Sequence, residues 1–169
     1  DMNDTARKTA SDAADHEQYL TFRLANEEYG IAILCVQEIK GWSGATPLPE
    51  APAHLLGVIN LRGTVVPIID LRVRFGRPAT DFGPTTVVIV VRVQIEGRAR
   101  TVGFVVDAVC EVYTVGADAH RPIPDGVTGG QAFARHLALV DDKLIVLLDV
   151  ERLLGEAGTL DSNTFAQAA

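Results

Sequence analysis

"LRGTVVPIIDLRVRFG" (Leu61–Gly76) and "VDDKLIVLLDVERLLG" (Val140–Gly155) are one pattern written twice, 79 residues apart. In each, a two-residue turn (Arg62-Gly63, Asp141-Asp142) leads into a short run of Val, Ile and Leu. The run ends in an aspartate (Asp70, Asp149); five residues follow, then a glycine (Gly76, Gly155). That order reads as a strand feeding one short helical turn, with Asp as N-cap and Gly as the left-handed residue past its end. A second pair of blocks precedes these at an offset of 73: "YGIAILCVQEI" (Tyr29–Ile39) and "VGFVVDAVCEV" (Val102–Val112). Gly30 falls on Gly103, Ile33 on Val106, Val36 on Val109, Glu38 on Glu111 and Ile39 on Val112. Valine-rich strands resemble one another by chance, but chance does not keep two blocks in order with polar landmarks aligned. The repeat implies two related β subdomains, each about half the chain and each a small barrel of roughly five short strands.

The rest of the chain agrees with a mainly β domain over residues 17–155. "QYLTFRL" alternates, with Tyr19, Thr21 and Arg23 on one face and Leu20, Phe22 and Leu24 on the other. "YGIAIL", "GVINL", "TVVPIID", "TTVVIVVRV", "RTVGFVVD" and "KLIVLLD" are short apolar runs between turn signals, which suits buried strands better than amphipathic helices. Pro67 cannot donate to a ladder and marks an edge position or a bulge. Residues 1–16 read as a flexible polar tail and 156–169 as another, part helical.

Composition narrows the function. Hydrophobic residues make up 47% and charged residues 22%, as in a chain that folds. Fifteen basic against 22 acidic residues give a net charge of −7, which disfavours binding nucleic acid by field alone. Seven arginines (Arg62, Arg72, Arg74, Arg77, Arg92, Arg98, Arg100) against Asp70, Asp81 and Glu96 form a basic band whose plain reading is a solvated face. Cys35 and Cys110 are far apart in sequence and read as core thiols of a reduced, cytoplasmic protein. His16, His54, His120 and His136 lack metal-ligand spacing, and His54 and His120 sit in Pro-rich stretches that read as surface loops. The chain lacks a dinucleotide fingerprint, a phosphate loop and a nucleophile elbow, and "GVTGG" (Gly126–Gly130) lacks the Lys-Ser/Thr that a phosphate cradle needs. No apolar stretch approaches a membrane span. A binding module remains, with neither cofactor nor catalytic group expected. The seam of a duplicated fold should be flanked by equivalent positions, and Val36 with Ile39 and Val109 with Val112 are such pairs.

At "YGIAILCVQEIKGW", "GVINLRGTVVPIIDLR" and "VGFVVDAVCEVYTV" the chain resembles the CheW-like family of bacterial chemotaxis coupling proteins, over roughly residues 17–155. The resemblance implies two SH3-like five-stranded β-barrels sharing a hydrophobic core, with short helices. It implies a scaffold, not an enzyme, that joins the cytoplasmic hairpin tip of a methyl-accepting chemoreceptor to the regulatory domain of the histidine kinase CheA. Such a protein is cytoplasmic, recruited to membrane-associated receptor arrays, and does not insert into the membrane. The family's receptor groove maps here onto Val36, Glu38, Ile39, Gly57, Arg62, Val109 and Val112. In physical terms, four apolar residues would form a floor, and Arg62 would project beside it, pairing with Glu38 or reaching the receptor. The competing expectation is a small-molecule-binding barrel, or a regulatory module of another two-component pathway, built around a closed pocket with convergent polar groups.

Overall fold

The computed structural model describes residues 16–79, 81–124 and 133–155. Both expected tails (apart from His16, which opens the first strand) and Gly126–Gly130 lie outside those residues. In chain order the elements are β1 (His16–Leu24), β2 (Glu27–Ala32), a 3-10 turn (Ile33–Cys35), β3 (Val36–Gly41), β4 (Leu55–Leu61) and β5 (Thr64–Asp70). Helix α1 (Leu71–Arg74) follows, then β6 (Val87–Ile95), β7 (Arg98–Val106), β8 (Ala108–Gly116) and a 3-10 turn (Ala117–Ala119). The chain continues with β9 (His120–Arg121), β10 (Ala134–Val140), β11 (Lys143–Leu148) and α2 (Val150–Gly155).

Two sheets result, ordered β3-β6-β7-β5-β4 and β8-β1-β2-β11-β10-β9. Each returns on itself in the same way. The segment after β3 bends back so that Thr46 exchanges two backbone hydrogen bonds of 2.9 Å with Val58 of β4, at the opposite edge. The segment after β8 becomes β9, which pairs with β10 through Leu137–Arg121 and Ala138–His120. The mainly β architecture of two subdomains is therefore present, with the two-residue β9 as a sixth strand in one of them.

The subdomains are not the two halves of the chain. The sheet containing β3 uses only residues 36–106, while the other takes strands from both ends. Each copy of the repeated block crosses between sheets: "YGIAILCVQEI" passes from β2 to β3, and "VGFVVDAVCEV" passes back from β7 to β8. The exchange is sealed by parallel pairs at equivalent positions, β2 with β11 (Gly30–Leu147) and β7 with β5 (Gly103–Ile68). A side chain at either glycine would press on the partner strand: a Cβ at Gly103 would lie 2.6 Å from Ile68 Cδ1, and one at Gly30 3.0 Å from Leu147 Cδ2.

The turns that carry the repeat behave as their residues require. Arg62 and Gly63 both take positive φ (50° and 87°), as do Asp141 and Asp142 (50° and 62°), the geometry of two-residue hairpins whose twist matches the strands. The Asn60 carboxamide accepts from the Gly63 N–H at 2.8 Å and so holds the first turn. Asp70 accepts from Arg72 N at 3.0 Å and Asp149 from Arg152 N at 3.0 Å, so both are the caps expected, and Gly76 (φ 80°) ends α1.

Among the described residues the buried apolar side chains form three clusters. Each subdomain has its own interior: Leu61, Val66, Ile68, Val88, Val90 and Val105 in one, Tyr19, Val115, Ala138, Ile145 and Leu147 in the other. The largest cluster is shared, drawing Leu20, Phe22, Leu24 and Ile31 from one sheet and Ile69, Ile89, Val91 and Phe104 from the other. Strands with one face in a subdomain interior and one in the shared core are apolar throughout, which is why β5 and β6 read as continuous runs. Pro67 is not at a sheet edge, because β5 lies between β4 and β7. The ladder to β7 begins only at Ile68, and before it the strands part around a cavity of about 290 Å³ lined by Thr64, Val65, Pro67 and Ala99–Val102.

Several arginines are structural rather than a solvated band. Arg72 is buried; its guanidinium donates to both Asp70 carboxylate oxygens at 3.1 Å, lies 3.5 Å from Asp107, and sits 5.0 Å from the centre of the Phe82 ring. Arg74 lies over Phe133 at 4.3 Å, and Arg77 donates to Glu27 at 2.6 Å. The histidines depart in part from the surface-loop reading, since His54 does lie in a turn. His54 is half-buried just before β4, and His120 lies in β9 with its ring 4.6 Å from that of His136.

Candidate functional site

β3 and β8 are the outer strands of their sheets, and each carries one half of the expected apolar floor. Alternation alone would put residues three apart on opposite faces of a strand. A β-bulge removes that conflict in both copies. Val36 stands opposite Val91 and Ile39 opposite Ile89, so three residue steps along β3 match two along β6. Val109 stands opposite Phe22 and Val112 opposite Leu20, the same step in β8 against β1. Val36 with Ile39, and Val109 with Val112, therefore share a face with residues of the common core. Val36 and Val109 pack against that core half-buried, while Ile39 and Val112 remain 44% and 49% exposed. The fold thus builds two matched apolar pairs, each with a buried foot and an open outer residue.

Glu38 falls opposite Val90, on the face of β3 that looks into its own subdomain. Arg62 reaches it from the β4–β5 turn with two parallel contacts, Nη1 to Oε2 at 3.2 Å and Nη2 to Oε1 at 3.3 Å. The guanidinium side chain stays 73% exposed, so the pairing orients it without hiding it. Gly57 is different in kind. It is buried in a bulge of β4 with φ 145°, and a Cβ there would lie 2.1 Å from the Thr46 carbonyl oxygen. Its contribution is to let the Thr46–Val58 closure form beside β3, with no side chain to offer.

Leu34 was not expected in the site. It lies on the 3-10 turn between β2 and β3, one residue from Cys35 and two from Val36, and is 98% exposed. The signal was present in the repeat: the position equivalent to Leu34 is Asp107, and an apolar residue where the other copy has a carboxylate is a candidate surface contact. Cys35 and Cys110, next to the same strips, are free thiols pushed up by burial, Cys35 to about 11, so neither is primed as a nucleophile. A second open cavity of about 420 Å³ lies beyond β3, lined by Lys40–Thr46, Val58–Asn60 and Val88. Among the described residues no group of three or more His, Cys, Asp or Glu is placed to hold a metal, and no helix is long and apolar enough to cross a membrane.

The CheW-like domain family matches residues 18–158. The chemotaxis protein CheW of Klebsiella aerogenes is 41% identical over 151 residues, covering 89% of this chain and 88% of that protein. CheW of Rhizobium meliloti is 38% identical over 135 residues, covering 79% and 84%. The crystal structure of the scaffolding protein TtCheW from Thermoanaerobacter tengcongensis superposes with a TM-score of 0.74 at 34% identity, over 85% of this chain and 94% of that one.

Proposed function

The chain belongs to the CheW-like domain family, and on that premise we propose that it is a chemotaxis scaffold coupling chemoreceptors to the histidine kinase CheA. In this reading the cytoplasmic hairpin tip of a methyl-accepting receptor lays one helix on the apolar pairs of β3 and β8. CheA is engaged through its regulatory domain, and receptor state reaches the kinase through the scaffold. The protein acts by binding alone, in the cytoplasm, at membrane-associated arrays. The carrying observation is the pair of matched bulges, which leave Ile39 and Val112 open beside half-buried Val36 and Val109. Paired apolar anchors at the margin of a rigid core suit a helix-in-groove partner.

Arg62 is the side chain to remove first. Its exposed pair with Glu38 contributes less than about 1 kcal/mol to folding. An interface arginine costs about 1–3 kcal/mol on truncation, one to two decades in affinity. The test is reconstitution of a soluble receptor fragment and the kinase with and without this chain. Kinase activity should respond to the receptor only when the chain is present, and Arg62→Ala should fold normally but bind the fragment tenfold or more weakly. Unchanged receptor affinity in a folded Arg62→Ala protein would remove the assigned role of this residue.

A further inference from the structure

The two subdomains close at equivalent places with different chemistry. In the first, Thr46 and Val58 exchange two backbone hydrogen bonds of 2.9 Å beside Gly57, and none of the three residues ionises. In the second, His136 stands where Gly57 does, 79 residues on, and the two-residue strand β9 pairs with β10 through Leu137–Arg121 and Ala138–His120. His120 lies opposite Ala138 and His136 opposite Leu147, and both of these partners belong to the interior cluster of the subdomain. The two imidazoles therefore share the inner side of the barrel at its closing edge. They are half-buried, with ring centres 4.6 Å apart and planes inclined at 54°.

Neutral rings pack in this place without electrostatic cost, whereas two imidazolium rings would repel each other beside an apolar interior. The surrounding charges do little to offset that. Arg121 on β9 and Arg135 on β10 are already positive, and the Arg121 guanidinium donates to the carbonyls of Asp118 and His120 at 2.7 and 2.9 Å. Lys143 stands at the far end of β11. The carboxylates on the neighbouring elements are Glu17 of β1, which accepts from the Tyr19 hydroxyl at 2.6 Å, and Asp118, exposed in the 3-10 turn. Burial, and then the His136 ring, hold His120 below its ordinary value.

We infer that these two imidazoles make closure of the second subdomain sensitive to protons: charging both rings parts β9 from β10, while the first subdomain stays closed. Two residue pairs join β9 to β10, so there is little pairing to resist the repulsion. The closed form takes up protons less readily than the open one. Closure is therefore fully present above about pH 6.5 and weakens as pH falls.

The test follows the imidazole and amide signals of the full chain by NMR between pH 8 and 5. His120 and His136 should take up protons in two steps, each felt by both rings, with the second at least about one pH unit below the first. The amides that pair β9 with β10 should open at least tenfold more often at pH 5 than at pH 7.5, after correction for the intrinsic pH dependence of exchange. The Thr46 and Val58 amides, which close the first subdomain, serve as the internal control and should not change. His120→Gln and His136→Gln each leave one imidazole, so either should abolish the acid-induced opening, and His136→Gln should also move the His120 titration to higher pH. Independent titration of both native rings at the ordinary histidine value overturns the inference. So does acid-induced opening that is equal at the two closures, or that persists in both glutamine variants.

Discussion

Asp70 and Asp149 are the same cap in two copies, and replacing each with asparagine should separate what a cap contributes from what a buried ion pair contributes. Asparagine caps helices about as well as aspartate, so Asp149→Asn, at a half-exposed position, should cost no more than a few tenths of a kcal/mol. Asp70 is different: its side chain is 1% exposed, that of Arg72 5%, and two guanidinium contacts of 3.1 Å join them. Asp70→Asn keeps an acceptor for Arg72 N but removes the charge that both 3.1 Å contacts meet, while Asp107, 3.5 Å away, is 31% exposed. Removing one partner of a buried pair costs about 3–5 kcal/mol, and the residual Asp107 contact places the expected loss near the lower end, about 3 kcal/mol. Equilibrium urea unfolding followed by circular dichroism, with the fluorescence of the single tryptophan Trp42 as a second probe, measures both variants on one scale. The double variant Asp70→Asn with Arg72→Met should recover part of the loss, since it removes the uncompensated charge. A difference between the two asparagine variants of less than about 1 kcal/mol would refute the claim that charge pairing, beyond capping, fixes α1 to the shared core.

Gly57→Ala should destabilise by about 3 kcal/mol or more, because it adds a strained positive φ to a clash with the Thr46 carbonyl; thermal unfolding that shifts by less than the error of the measurement would refute it. Gly103→Ala should cost more than Gly30→Ala, since its Cβ meets both Ile68 Cδ1 and Val88 Cγ1 at 2.6–2.7 Å whereas Gly30 meets the flexible end of Leu147 at 3.0 Å; unfolding midpoints in the reverse order would refute this ranking. Burial, and then the charge of Arg74, holds the His54 imidazole below its ordinary value, so the folded state binds its proton less readily than the unfolded chain. That contribution is fully present above about pH 6.5 and declines as pH falls toward the folded-state value, with a slope bounded by roughly 1.4 kcal/mol per pH unit; His54→Gln should flatten stability between pH 7 and 5, and an unaltered profile would exclude His54 as its source.

What could be read in the sequence was what local chemistry decides. The four turn residues, the two capping aspartates and the crossing glycines are fixed by backbone conformation and hydrogen bonding over a few residues, so repetition exposed them. The exchange of strands was hidden because the crossings are too short to look like connections: Ile33–Cys35 is three apolar residues, and Asp107 is a single one. Each therefore reads as the end of the strand before it, "YGIAIL" or "RTVGFVVD", and not as a passage into another sheet. β10 was missed because Arg135 and His136 interrupt its alternation, His136 at a bulge that sequence does not mark. Burial of Arg72 could not be foreseen, since its cost is offset by Asp70 two residues away and by Asp107, which is distant in sequence.

The matched apolar pairs were legible for a different reason. Val36 and Ile39 are three apart, a spacing that periodicity would assign to a helix, and only their match to Val109 and Val112 marked them as a unit. Agreement between the copies reports what the fold demands: Gly30 with Gly103, Asp70 with Asp149, and a bulge at equivalent places in β3 and β8. Disagreement reports where the fold makes no demand. β4 and β10 both bulge, between Leu55 and Gly57 and between Ala134 and His136, yet one bulge holds a glycine against the Thr46 backbone and the other a histidine whose ring packs, tilted, against that of His120. The same closure is met by bare backbone in one subdomain and by two rings in the other, so Gly57 answers a local contact rather than the fold's common plan. Arg62 and Asp141 disagree without the backbone requiring it, since both turns hold the same φ with opposite charge, and the local partner that the fold supplies to Arg62 is Glu38, in an exposed pair. A difference the fold tolerates, beside strands whose apolar pairs are duplicated, makes Arg62 the residue whose replacement best separates folding from binding.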